Sequence, residues 1–218
     1  MLYGFVPKWL EKLERRMPWL AIPNIALYLV GLQVLGLLLV LSDPQAREVL
    51  VLDPHLVVKG EVWRLGSFLA LPLSTSLLWT AFVLYFLYFI VTGIESEWGA
   101  FKTTFYILTS ALLTIAFAFA FQVPITSVQH LELTLFLAAA AIAPDYEILL
   151  FFILPVKLKW LAWLTVAFIV WQFCLGSWLT KIYLLALYAN YLLFFGPYHW
   201  WQLNQWIRRR KMRGQFRR

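Results

Sequence analysis

Long apolar runs separated by short polar breaks organise this chain. Residues 25–41 carry no charge. A bilayer core of roughly 30 Å needs about twenty helical residues, with a lower limit near seventeen, so this run predicts a first membrane-spanning helix, closed by Asp43 and Pro44. Residues 42–72 are polar and hold Arg47, Glu48, Asp53, Lys59, Glu61 and Arg64, but apolar stretches at 49–52 and 56–58 predict a packed, half-embedded loop. A second span is expected over 73–94, a polar turn over 95–102 and a third span over 103–121. A turn over 122–129 follows, with Pro124 inside it.

The fourth run, 131–143, is short. At 1.5 Å per residue it reaches only about 20 Å. Such a helix has to sit inside a bundle, with one end reached through a water-filled or protein-lined recess. Its alanines, Ala138 to Ala141, allow close approach of neighbours. Residues 148–154 are interrupted by Pro155, Lys157 and Lys159 and read as a re-entrant or interfacial segment. A fifth span is expected over 158–175, then a turn at Gly176 and Ser177. A sixth span runs to Phe195, where Gly196 and Pro197 stop it. Trp200, Trp201 and Trp206 suit the headgroup region, where an indole is both apolar and a hydrogen-bond donor.

Residues 1–23 precede the spans. Phe5, Trp9, Leu10, Leu13, Met17 and Leu20 fall on one face at helical spacing, with Lys8, Lys12, Arg15 and Arg16 on the rest. This predicts a helix lying on the membrane surface. No small-residue cleavage site follows the first apolar run, so a removable signal peptide is not expected. The division is therefore an amphipathic segment at 1–23, a membrane domain at 24–196 and a basic cytoplasmic tail at 197–218.

Composition agrees. The chain is 62% hydrophobic and 13% charged, against roughly 25% charged for a soluble domain. The formal charge of +7 does not point to nucleic acid, because seven of the eighteen basic residues lie between Arg208 and Arg218 and four more lie near the start. Basic segments flanking spans set orientation and touch anionic headgroups. With both termini inside, fourteen basic residues face the cytoplasm and four (Arg47, Lys59, Arg64 and Lys181) face out. An even number of spans keeps both basic termini on one side, which favours six. The expected location is an integral membrane site with both termini cytoplasmic, the inner membrane if the source is bacterial. The single cysteine, Cys174, excludes a disulfide framework and is expected to pack inside a span.

The segment Gly60-Glu61-Val62-Trp63-Arg64-Leu65 resembles the Trp-Arg loop signature of the rhomboid superfamily, which includes intramembrane proteases and derlins. After the second span, the segment from Gly93 to Lys102, with Glu95 and Gly99, resembles the Glu…Gly-Ser-Phe-Arg turn of derlins and related bacterial proteins. The resemblance extends over residues 25–196. It implies an all-α polytopic fold, a rhomboid-like six-transmembrane-helix bundle with a short central fourth helix and a first loop set sideways in the outer leaflet. In that frame Trp63, Arg64, Glu95 and Gly99 are structural. Arg64 can donate up to five hydrogen bonds to loop carbonyls, Trp63 anchors the loop, and Glu95 is expected to accept from amides at the start of the third helix.

Active rhomboids pair a serine near the start of the fourth helix with a histidine on the sixth. A hydroxyl without a nearby base is too weakly nucleophilic. Here the fourth helix opens Ser127-Val128-Gln129-His130-Leu131-Glu132-Leu133-Thr134, without a Gly-x-Ser. The span ending at Phe195 has no histidine, and Asn190 stands where the family's histidine would. His55 lies in the first loop and His199 beyond the sixth span. His130 and Glu132 stand two apart and do not share a helical face, so no metal site is expected, nor any cofactor.

A carboxylate inside the bilayer costs roughly 2.5–3.5 kcal/mol on insertion scales, so Glu132 needs an account. One reading has Glu132 and Asn190 bridge the fourth and sixth helices. The other has His130, Glu132 and Asn190 line a recess that engages a client helix or lipid. The expected function is that of a catalytically inactive rhomboid-like membrane protein that binds transmembrane segments or lipid, in membrane-protein quality control or trafficking. Its expected partners are membrane lipids and other transmembrane proteins. An active intramembrane serine protease with a displaced site and a small proton-coupled transporter or channel using Glu132 remain the alternatives.

Overall fold

The computed structural model describes residues 8–150 and 154–215. The chain forms ten α-helices among these residues: α1 (Lys8–Arg16), α2 (Ile25–Ser42), α3 (Ala46–Leu50), α4 (Pro54–Val58), α5 (Arg64–Ser67), α6 (Leu77–Trp98), α7 (Ala100–Phe121), α8 (Gln129–Ile142), α9 (Leu158–Leu175) and α10 (Trp178–Gln215). A two-stranded antiparallel sheet, β1 (Glu147–Leu150) with β2 (Leu154–Lys157), joins α8 to α9. Five helices are long and apolar enough to cross a membrane: α2, α6, α7, α9 and the Trp178–Gln205 part of α10. The outward faces of these helices carry large apolar side chains, as at Leu35, Leu78, Trp163, Leu164, Trp171 and Leu185, all at least half exposed. Water would not tolerate that surface, and lipid would. This is the build of a helical membrane protein.

The fourteen-residue α8 is about 21 Å long and is the centre of the packing. It meets α6, α7, α9 and α10, and Leu131 and residues 134–141 on it are all buried. Ala138 to Ala141 are among them, so the alanine run does let neighbours close in. By contrast, only Leu158 of α9 is buried, so α9 is the loosest wall of the bundle.

Contacts at the helix ends fix which ends lie together. The Asn24 backbone N–H donates to Glu95 Oε1 at 2.7 Å, so α2 starts where α6 finishes. Trp9 meets Phe194 edge to face at 5.4 Å, which brings α1 to the later part of α10. The Lys159 N–H donates to Pro144 O at 3.0 Å, tying the start of α9 to the end of α8. At the opposite end, Leu52 and Ile125 exchange backbone hydrogen bonds of 3.3 and 2.9 Å. The first loop is thereby stitched to the turn before α8. The loop is packed as its apolar stretches predict: Leu50, Leu52, Phe68, Ala70 and Leu71 are buried, while Val58, Val62 and Trp63 point out.

Several boundaries differ from the sequence reading. The polar turn at 95–102 shrinks to Gly99. Charge did not end the helix there; Gly99 did, at φ +89°, a left-handed-region value that favours glycine. The second span therefore runs later than expected, to Trp98. Residues 148–150 and 154 belong to the β-hairpin, because β-branched and large apolar residues beside Pro155 suit a short strand better than a helix turn; residues 151–153 lie outside the described residues.

Gly196 and Pro197 do not stop the last helix, since α10 runs through Pro197 for 38 residues. Proline removes one N–H donor and crowds the Cβ of the residue before it. That residue is a glycine with no Cβ, which removes this part of the crowding. Cys174, expected to pack inside a span, is exposed on α9. On α1, Leu10 is fully buried and Leu13 packs against the core, while Trp9 and, just beyond the helix, Trp19 are exposed. Phe5 and the tail beyond Gln215 lie outside the described residues, and the Trp206 side chain is likewise not described.

Candidate functional site

The first loop is built around Arg64. This side chain is 5% exposed. Its Nη1 donates to the carbonyls of Glu48, Val49 and Val51 at 2.5, 3.1 and 2.8 Å. Its Nη2 lies 2.6 Å from Glu61 Oε2, and Nε donates to the same oxygen at 2.8 Å. Three carbonyls at the end of α3 thus share the two N–H groups of Nη1, while Nε and Nη2 face Glu61. Trp63 beside it is 54% exposed and faces outward. Glu95 serves a different amide from the one expected. It accepts from the Asn24 N–H at the start of α2.

The three candidate recess residues are not brought together. Glu132 accepts from Gln33 Nε2 of α2 at 2.6 Å. Asn190 is buried and donates from Nδ2 to Ser110 Oγ of α7 at 2.8 Å. The expected Glu132–Asn190 bridge is therefore replaced by two separate bonds, α8 to α2 and α10 to α7. His130 takes the contact between α8 and α10, with Nδ1 3.4 Å from the Tyr188 hydroxyl and its ring edge-on to Tyr183 at 5.7 Å. A buried hydrogen bond from Tyr106 Oη to the Thr134 carbonyl, 3.2 Å, completes a polar seam between α7 and its neighbours. Gln33, Ser110 and Tyr188 were missed in the sequence. Gln33 alone left a signal there, as the one side-chain amide in an otherwise uncharged run.

The histidine positions bear on proteolysis. The last helix does carry a histidine, His199, because α10 continues past Pro197. Its Nε2 sits 2.7 Å from the Tyr191 hydroxyl, eight residues or about two turns earlier on the same helix. Ser127 Oγ accepts from the Gln129 N–H at 3.2 Å and serves the turn before α8. His55 donates its N–H to Asp53 Oδ1 at 2.9 Å, as part of the α4 cap. Among the described residues, the hydrogen-bond partner of each paired imidazole ring is a tyrosine hydroxyl. No group of three or more His, Cys, Asp or Glu side chains there could hold a metal ion.

Glu132 has a second neighbourhood. A cavity of about 300 Å³ opens between α6 and α9 with α8 as its floor. Phe82, Phe86 and Leu87 form one wall, Leu161 and Leu164 the other, and Glu132 with Thr165 supplies polar atoms. The cleft is thus apolar at its sides and acidic at its base. No family model, curated protein or solved structure matches this chain.

Proposed function

We propose that this chain is a catalytically inactive, rhomboid-like membrane protein that binds transmembrane segments of other proteins in the cleft between α6 and α9. In this reading α8 is the sixth crossing, shorter than the bilayer core, and both termini are cytoplasmic. The observation that carries the proposal is Glu132 at the base of an apolar cleft walled by α9, the least buried of the long helices. A loosely held wall can move to admit the side chains of a helix laid along it. Once there, a carboxylate in a low-dielectric setting rewards a client that carries its own polar group mid-membrane. Gln33 holds Glu132 in place from the other side. Retention or delivery of membrane proteins with polar transmembrane segments follows from such selectivity.

A photo-crosslinking side chain at Leu164, in full-length protein in liposomes, tests this. Single-span peptides with a central asparagine should be captured about tenfold more than all-leucine peptides, the worth of one buried polar contact of about 1.4 kcal/mol. Glu132→Leu should erase the preference. Equal capture of both peptides overturns the proposal, as does cleavage of either peptide. Proton flux in liposomes that vanishes in Glu132→Gln would assign the carboxylate to transport instead.

A further inference from the structure

A second cavity, of about 400 Å³, lies between the end of α8, the start of α9 and the later part of α10. Its floor is apolar, with Leu137, Ala140 and Val166, and its rim holds Lys159, His199 and Gln202. The depth of that rim follows from helix geometry. From Trp178, a hydrocarbon thickness of roughly 30 Å corresponds to about twenty residues, which ends near Tyr198. Lys159 is the second residue of α9 and lies at the same level. The polar rim therefore sits at the boundary between acyl chains and headgroups, and the floor lies below it among the chains.

This end of the bundle carries Lys12, Arg15, Arg16, Lys102, Lys157 and Arg208 together with Glu11, Glu14, Glu95, Glu97, Asp145 and Glu147. Lys102 and Lys157 are paired with Glu14 and Glu147; Lys159 is the cation on the cavity rim itself. Lys159 donates to Asp145 Oδ1 at 2.6 Å, but an ammonium has three protons to give. Asp145 thus neutralises part of the charge and competes with any anion that enters. Gln202 donates from Nε2 to the Tyr198 hydroxyl and has a second N–H on the same nitrogen.

We propose that this cavity binds one anionic glycerophospholipid, its phosphate held by Lys159 and Gln202 and its first acyl carbons laid on Leu137, Ala140 and Val166. The site is separate from the α6–α9 cleft and does not depend on the client-binding reading. An ammonium and an amide at headgroup depth, above an apolar floor open to the bilayer, match the two halves of a phospholipid in the order the membrane presents them. A zwitterionic lipid brings a cation of its own towards the Lys159 ammonium and is disfavoured there.

Native mass spectrometry of the full chain from phosphatidylcholine nanodiscs doped with phosphatidylglycerol tests this. One phosphatidylglycerol should be retained in preference to phosphatidylcholine. Lys159→Gln should lower that retention about tenfold, one charge-assisted hydrogen bond, and Asp145→Asn should raise it by removing the competitor. Lys59→Gln, at the opposite end of the bundle, should leave it unchanged. Should Lys159→Gln fail to purify as a monodisperse species, Gln202→Leu and a benzophenone side chain at Val166 serve instead: the first should weaken retention, the second should form a lipid adduct. Equal retention of the two lipids, opposite-signed effects failing to appear at Lys159 and Asp145, or no adduct at Val166 would each overturn the proposal. Tight binding of glycerol 3-phosphate alone would make this a general anion site and overturn the lipid assignment.

Discussion

Arg64 and Asp145 show how differently two charged residues act in one chain. Arg64 is buried and answers three carbonyls and one carboxylate. Replacing it by alanine leaves those acceptors facing protein interior, at about 1–3 kcal/mol for each unsatisfied group. Arg64→Ala should therefore lower the unfolding midpoint in detergent far more than Trp63→Ala, whose side chain is largely exposed, and proteolysis within residues 43–72 should report the loosened loop. Asp145 lies in the open. The hydrogen bond and charge of Lys159 hold its carboxyl below the usual carboxylate range. A lowered folded-state value means the contact helps above the unfolded range near 3.9 and is lost as pH falls through the lowered value. Amide exchange at Tyr146 and Leu158, which close the same turn, should quicken below about pH 4, and Asp145→Asn should remove that pH dependence.

Among the elements, α2 packs backbone to backbone against the 3-10 turn Phe68–Ala70 at Gly36. A Cβ on Gly36 would fall 1.9 Å from the Ala70 carbonyl oxygen. Backbone cannot yield there as a flexible side chain can, so Gly36→Ala should cost about 1–3 kcal/mol through forced separation of α2 from the loop. Gly31, on the same helix with nothing near its missing Cβ, is the control: Gly31→Ala should be neutral or slightly stabilising, both read by thermal unfolding. The helical pattern of α2 is plain in the sequence, but this contact is not, because the two glycines look alike until the loop is folded back. The same holds for α10. Its apolar run is evident, yet its continuation past Pro197 is not, and with it the placement of His199 inside a helix.

At the scale of the whole molecule, helix-end contacts gather Lys12, Lys102 and Lys159 at one end and Arg47, Lys59 and Lys181 at the other. If the basic end is cytoplasmic, then in a Cys174→Ser background a cysteine at Lys59 should react with a membrane-impermeant maleimide from outside intact cells. One at Lys102 should react only after the membrane is opened. Cys174 itself lies on the exposed face of α9 and has to be removed first for the labelling to be read.

Apolar run length determined the long helices and the shortness of α8, because the bilayer acts on this property locally and one segment at a time. Glu132 and Asn190 were legible as polar residues needing partners, since burial without one is expensive wherever they sit. Which partners they found was decided only by tertiary structure. Gln33 and Ser110 lie 99 and 80 residues away along the chain, and a hydrogen bond depends on positions within a few tenths of an ångström that only the packed helices set.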